Sequence, residues 1–324
     1  MVKNIIKKTV ALLLVLLVVM AINVSAEESW WSGAYKNMSG LGYINGDEYG
    51  NFNPDKPITR AEMAVIIARI TRVYGQYPDF TDVASDAWYR NDVRNVAFAG
   101  FFDGYDGGKF NPDGYITRAE AAAVISRVFP GRGDGKSPFS DSVPAWAEPY
   151  VSAVAAGGIM TGYDDGTFRP QNNITRAEVA VMLDNVIKNI HLYDTDIKDK
   201  TYEGNLVIVW DNLTAKNITV NGTLYITGAI DEDEIVLDNV KAKKIVINGT
   251  DAVVQLRNTV ADEVLVAGRG RAQIIFSRAT EVGEVICIAD AKLMKHGFDG
   301  IAGTVNLEKE MTDILTGNKY NGTV

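Results

Sequence analysis

The sequence predicts a multidomain chain: an α-rich triplet of repeats folded as a pseudo-threefold helical prism, then an all-β domain that forms a right-handed parallel β-solenoid. Three observations predict it. A 58-residue period brings one glycine-rich loop and one helix start back three times. After Ile190 that pattern stops, and apolar residues alternate with polar ones in runs of about five, as in half-buried strands. The 324 residues, 47% hydrophobic and 23% charged, are globular in composition, and the length allows two or three domains of roughly 100–200 residues each.

The first element is an export signal over residues 1–26. Lys3, Lys7 and Lys8 precede an apolar run from Val10 to Ile22, and Val24-Ser25-Ala26 supplies the small-residue cleavage site. That run is short against the ~20 residues a spanning helix needs, so no stable membrane span is expected after cleavage. The net charge of −9 becomes −12 once the three lysines leave. No concentrated stripe of Lys and Arg appears, which argues against a nucleic acid partner. Cys287 stands alone, and His191 and His296 are the two histidines. Disulfides, zinc centres and histidine-dependent nucleophilic catalysis therefore lack material, and no cofactor or metal is expected.

The repeats occupy 27–76, 77–134 and 135–192. Ile58-Thr59-Arg60-Ala61-Glu62 returns as Ile116-Thr117-Arg118-Ala119-Glu120 and as Ile174-Thr175-Arg176-Ala177-Glu178. The same offset carries Trp30 to Trp88 to Trp146, Phe52 to Phe110 to Phe168, and Gly46 to Gly104 to Gly162. Each copy reads as a helix, a loop with several glycines, and a second helix. The second begins at a capping box, because Thr59, Thr117 and Thr175 stand three residues before Glu62, Glu120 and Glu178. Behind it, Met63, Ile66, Ile67 and Ile70 keep the i, i+3, i+4, i+7 spacing of one buried stripe. So short a helix pair cannot bury that stripe alone, so the three copies are expected to pack together as one unit.

The tryptophan, the Gly-Tyr-x-x-Gly-x-Phe-x-Pro loop and the Ile-Thr-Arg-Ala-Glu helix start together resemble the S-layer homology (SLH) domain family over residues 28–190. Copies two and three also carry its opening, Phe80-Thr81-Asp82-Val83 and Phe139-Ser140-Asp141-Ser142-Val143. Copy one lacks it, and has Asp47 where the others have Tyr105 and Tyr163. The resemblance implies that the triplet binds an anionic secondary cell-wall polysaccharide, commonly bearing pyruvylated amino sugars, and holds an exported protein on the bacterial cell wall or S-layer. A pyruvate ketal presents a carboxylate, so Arg60, Arg118 and Arg176, with planar paired donors at a helix start, are the expected ligand residues. Trp30, Trp88 and Trp146 can stack on sugar or pack in the core. Gly46, Gly104 and Gly162 would let loop amides approach a ligand. The grooves between neighbouring copies are the expected location. The competing reading of the arginines is surface pairing with Asp82 or Asp141, and the motif's Thr and Glu read as caps.

Residues 193–203 read as a polar linker and 204–324 as the β-domain. Trp210–Gly222 resembles Leu237–Gly249, with looser copies at Leu256–Gly268 and Phe276–Ala289, so the starts step by 27, 19 and 20 residues. Such a period suggests about five stacked coils, with an antiparallel β-sandwich as the alternative. Asp231-Glu232-Asp233-Glu234 and the Arg269/Arg271 pair read as solvated loops, Cys287 as a packing residue, and the tail 305–324 as a candidate end cap. The expected protein is a non-enzymatic envelope protein with a structural or interaction module, whose partners would be other surface proteins or further copies of itself. The alternatives are a wall-anchored polysaccharide lyase or hydrolase and a self-assembling scaffold.

Overall fold

In the computed structural model, the described residues are 29–47, 49–75, 77–191, 195–209, 212–228, 234–249, 251–268, 272–277, 279–289, 291–296, 304–312 and 319–323. The export signal, residues 231–233 of the acidic run, and Arg269 and Arg271 lie outside them. Six helices come first, paired by repeat: α1 (Ser32–Gly40) and α2 (Arg60–Thr71), α3 (Arg90–Phe98) and α4 (Arg118–Val128), α5 (Glu148–Ala156) and α6 (Arg176–Val186). The second helix of each pair starts at a complete capping box. Thr59, Thr117 and Thr175 accept from the backbone of Glu62, Glu120 and Glu178, whose carboxylates accept from the threonine amides in return.

Two sets of hydrogen bonds close the repeats into a ring. The Ile58 amide donates to Ile174 O at 3.1 Å, Ile116 to Ile58 O at 3.2 Å, and Ile174 to Ile116 O at 3.0 Å. All three isoleucines are fully buried. Around them, the first helical amide of each second helix donates into the loop of the next repeat: Arg60 to Gly114 O, Arg118 to Asn172 O, Arg176 to Lys56 O. The following amides do the same, Ala61 to Pro112 O, Ala119 to Pro170 O and Ala177 to Pro54 O. Each second helix also packs on the first helix of the next repeat, α2 on α3, α4 on α5 and α6 on α1. A single repeat would leave these donors and its apolar stripe exposed, which is why three act as one domain.

Twelve strands follow: β1 (Asn189–His191), β2 (Ile197–Tyr202), β3 (Leu206–Ile208), β4 (Leu213–Gly228), β5 (Glu234–Gly249), β6 (Val253–Arg257), β7 (Val260–Val266), β8 (Ala272–Ser277), β9 (Glu281–Cys287), β10 (Ala291–His296), β11 (Thr304–Thr312) and β12 (Lys319–Thr323). Every pairing up to β11 is parallel, which removes the antiparallel sandwich; only β12 turns back antiparallel on β11, at the end of the stack. Inside the solenoid, Leu206, Leu224, Ile245, Val264 and Val285 stack in one row, and Ile208, Ile226, Ile247, Val266 and Cys287 in the next. Cys287 is thus a wholly buried packing residue, and burial pushes its thiol up to about 12.

Two expectations change. Residues 197–202, within the stretch read as a linker, are strand β2 paired to β4. The register also places Ala215, not Trp210, beside Leu237, a step of 22 residues instead of 27, whereas Leu256 beside Leu237 and Phe276 beside Leu256 keep the steps of 19 and 20. The cause is local likeness. Asn212 and Asn217 both take the left-handed backbone conformation (φ 50° and 54°), so the coil has two asparagine corners and the sequence match chose the wrong one. The true corner stacks: Asn217 donates to Asp199 at 2.8 Å, and Asn239 to Asn217 at 2.9 Å.

The solenoid and the helical ring share a core. The outward row Val207, Tyr225, Val246, Leu265 and Ile286 belongs to the same buried cluster as the helices, and the Tyr225 ring meets Phe129 edge-on at 5.2 Å. The Asn248 side chain donates to Arg127 O and Val128 O at the end of α4, and Asn205 donates to Val186 O at the end of α6. Two helix C-termini, whose last carbonyls have no partner within the helix, are therefore capped by the β-domain.

Candidate functional site

The arginine at each helix start reaches across to the loop of the next repeat. Arg118 donates from Nε to Phe168 O at 2.8 Å, from Nη2 to Thr161 O at 3.1 Å and from Nη1 to Glu178 Oε1 at 2.8 Å, and its guanidinium lies 4.7 Å from the Tyr163 ring centroid. Arg60 repeats this one copy earlier, with Phe110 O at 2.9 Å, Asp103 O at 3.0 Å, Glu120 at 3.6 Å and the Tyr105 ring at 4.6 Å. Arg176 closes the ring onto the first repeat through Phe52 O at 2.8 Å and Asn45 O. Arg60 and Arg118 are each 4% exposed, and Arg176 is half-buried. The arginines are therefore staples between repeats before they are anything else. They do not pair with Asp82 or Asp141, whose carboxylates accept instead from the loop amides of Phe110 and Asn111, and of Phe168 and Arg169.

Of the five N–H donors on a guanidinium, Arg118 uses three on Phe168 O, Thr161 O and Glu178, and the other two have no partner among the described residues. Arg118 lines a groove of about 530 Å³ together with Thr161, Gly162, Tyr163, Asp164, Glu178, Asn185 and Trp30. Three of the expected site residues, from three different repeats, thus meet in one place. The helix dipole also points here, but its amides are spent: the first two donate to the next repeat and the third to the capping threonine.

Trp30, Trp88 and Trp146 are 66%, 67% and 53% exposed, which decides against core packing, and the Trp88 ring meets Tyr89 edge-on at 5.3 Å. Gly162 is fixed by crowding. A Cβ there would stand 2.5 Å from the Phe139 ring and 2.7 Å from Thr167 O, and Gly104 is hemmed in the same way by Phe80 and Lys109 O. Gly46 meets the Gly50 backbone at 2.8 Å. These glycines shape the loops.

Sequence reasoning missed the tyrosines and the second task of the glutamates. The Tyr163 hydroxyl donates to Glu178 Oε1 at 2.6 Å and Tyr105 to Glu120 Oε1 at 2.8 Å, while the other oxygen of each glutamate serves the cap. Burial first, and then the neighbouring carboxylate, pushes both phenols up, so they stay protonated donors. The Tyr-to-Asp difference at position 47 was the visible signal. Asp47 turns back into its own loop, accepting from the amides of Asn51 and Tyr49 and from the Asn53 side chain, which holds its carboxyl below the usual range.

The described residues thus form a helical triplet with exposed tryptophans and inter-repeat arginines, continued by a β-solenoid. Residues 26–64, 79–122 and 138–180 match the S-layer homology domain, so the chain carries three S-layer homology domains and is a protein of the cell surface. It is 34% identical over 164 residues to a surface-layer 125 kDa protein of Lysinibacillus sphaericus, covering 48% of this chain and 14% of that one. It is also 34% identical to a cellulosome-anchoring protein of Acetivibrio thermocellus, over 44% of this chain and 34% of that one. An amylopullulanase of Thermoanaerobacterium thermosulfurigenes is 29% identical over 48% of this chain and 9% of its own length. The matched part thus spans about a third or less of each relative. Among the described residues no helix is long and apolar enough to cross a membrane.

Proposed function

We propose that the triplet anchors the chain non-covalently to an anionic, pyruvylated secondary cell-wall polysaccharide, with Arg60, Arg118 and Arg176 taking the carboxylate and Trp30, Trp88 and Trp146 stacking on sugar rings. The observation that carries this is the groove where Arg118, with two donors to spare, faces Gly162 and the open Trp30 ring. The acidic balance of residues 27–192, 15 basic against 21 acidic, makes local contacts rather than long-range attraction the source of affinity, so binding should depend only weakly on salt. We assign the solenoid a structural or interaction role, held rigidly by the shared core. The rival, a wall-anchored carbohydrate-active enzyme, is favoured by one relative being named an amylopullulanase; release of reducing sugar from wall glycan by the chain would establish it.

The exposed tryptophans give the cleanest test. A chain from residue 27 onward carrying Trp30→Ala and Trp146→Ala should lose wall binding by roughly tenfold or more, as two stacking contacts go, while its unfolding free energy stays within about 1 kcal/mol of the unsubstituted chain. Unchanged binding in a pull-down on wall sacculi would remove the tryptophans from the site.

A further inference from the structure

The three arginine junctions between repeats, of which the one at Arg118 lines the groove described above, are not chemically equal. In the groove between the second and third repeats, the tyrosine hydroxyl fixes one oxygen of Glu178, and that same oxygen neutralises Arg118 at 2.8 Å. At the junction between the first and second repeats, Tyr105, Glu120 and Arg60 do likewise, with the ion pair at 3.6 Å. Any carboxylate ligand entering either junction competes with a resident carboxylate held by a phenol. The third junction has the equivalent glutamate, Glu62, whose Oε2 accepts from the Thr59 amide. The tyrosine is absent, because Asp47 occupies its position and is folded into its own loop. Without a hydroxyl to hold it, Glu62 forms no ion pair with Arg176, and among the described residues the partners of Arg176 are the carbonyls of Phe52 and Asn45 and the Phe52 ring. Asn45 also stands where the second repeat has Asp103.

We propose that the junction between the third and first repeats, built on Arg176, is the strongest carboxylate-binding site of the three, and that Tyr105 and Tyr163 weaken the other two by clamping Glu120 and Glu178 onto their arginines. This rests on the polysaccharide reading and adds a ranking to it. The repeat that departs from the pattern is then the principal anion site instead of a degenerate one. The tyrosine is the specificity-determining position: present, it helps hold a resident carboxylate on the arginine; absent, it leaves a guanidinium with no carboxylate partner among the described residues.

The test uses the chain from residue 27 onward and polysaccharide released from wall sacculi and immobilised. Arg176→Lys, which keeps the charge and loses the planar fork, should weaken binding roughly tenfold. Tyr163→Phe keeps the ring over Arg118 but removes one of the three hydrogen bonds that hold the Glu178 carboxylate, and should tighten binding by about threefold. Chemical amidation of the polymer's carboxylates should abolish the difference between Arg176→Lys and the unsubstituted chain. Arg176→Lys leaving binding unchanged, or Tyr163→Phe weakening or leaving it unchanged, overturns the ranking. Should Arg176→Lys not fold, the Tyr163→Phe result decides alone. No binding by the unsubstituted chain would instead mean that the polysaccharide reading has failed.

Discussion

Replacing Arg118 by alanine is expected to destabilise the chain by about 3–5 kcal/mol, well before any effect on ligand binding is considered. Its side chain is 5% exposed and Glu178 beside it is 14% exposed, so the substitution removes one partner of a largely buried ion pair. It also orphans the carbonyls of Phe168 and Thr161, each of which accepts from the guanidinium. Because Arg118 belongs to the second repeat and these acceptors to the third, the loss opens a joint of the ring. Denaturant unfolding should show a lower midpoint, with the Arg176→Ala loss smaller because that guanidinium is half-buried and lacks the ion pair. An Arg118→Ala chain as stable as the original would mean that the arginine staple contributes nothing, and that its role is confined to ligand.

Leu265→Asp should have the second large effect, and a different kind. Leu265 is fully buried, yet it points out of the solenoid, into the cluster formed with the helices. An unpaired carboxylate there costs several kcal/mol and falls on the joint between the two modules, not on the interior of either. Calorimetry of the unsubstituted chain should give one cooperative transition, and Leu265→Asp should split it in two. Val264→Asp, one residue away and facing the solenoid interior, should instead unfold the β-domain alone. A single undivided transition in Leu265→Asp would contradict the shared core.

What was legible in the sequence followed chemistry that repeats. The capping boxes at Thr59, Thr117 and Thr175 fixed three helix starts, and the alternation of apolar with polar residues after Ile190 showed that strands follow, because both signals are local. The groove was half legible. A motif shows that Arg118 recurs, but that its guanidinium staples the next repeat depends on ring closure, which only the three-dimensional packing reveals. Glu178 was read as a cap, and it is one; its other oxygen joins Tyr163 and Arg118, and a carboxylate with two tasks looks the same in sequence as one with a single task. The corner at Asn217 was missed because Asn212 carries the same chemistry five residues earlier. The linker was misread because β2, Ile197–Tyr202, buries only its two end residues and so looks polar throughout.

The central claim is anchoring through a wall polysaccharide, and the most direct measurement is co-sedimentation of the chain from residue 27 onward with purified bacterial wall sacculi, before and after chemical removal of their secondary polysaccharide. The chain is used with its solenoid because that domain covers part of the triplet's core. Binding to intact walls that disappears on stripped ones is the predicted result. Undiminished binding to stripped walls, or none to intact ones, would contradict it.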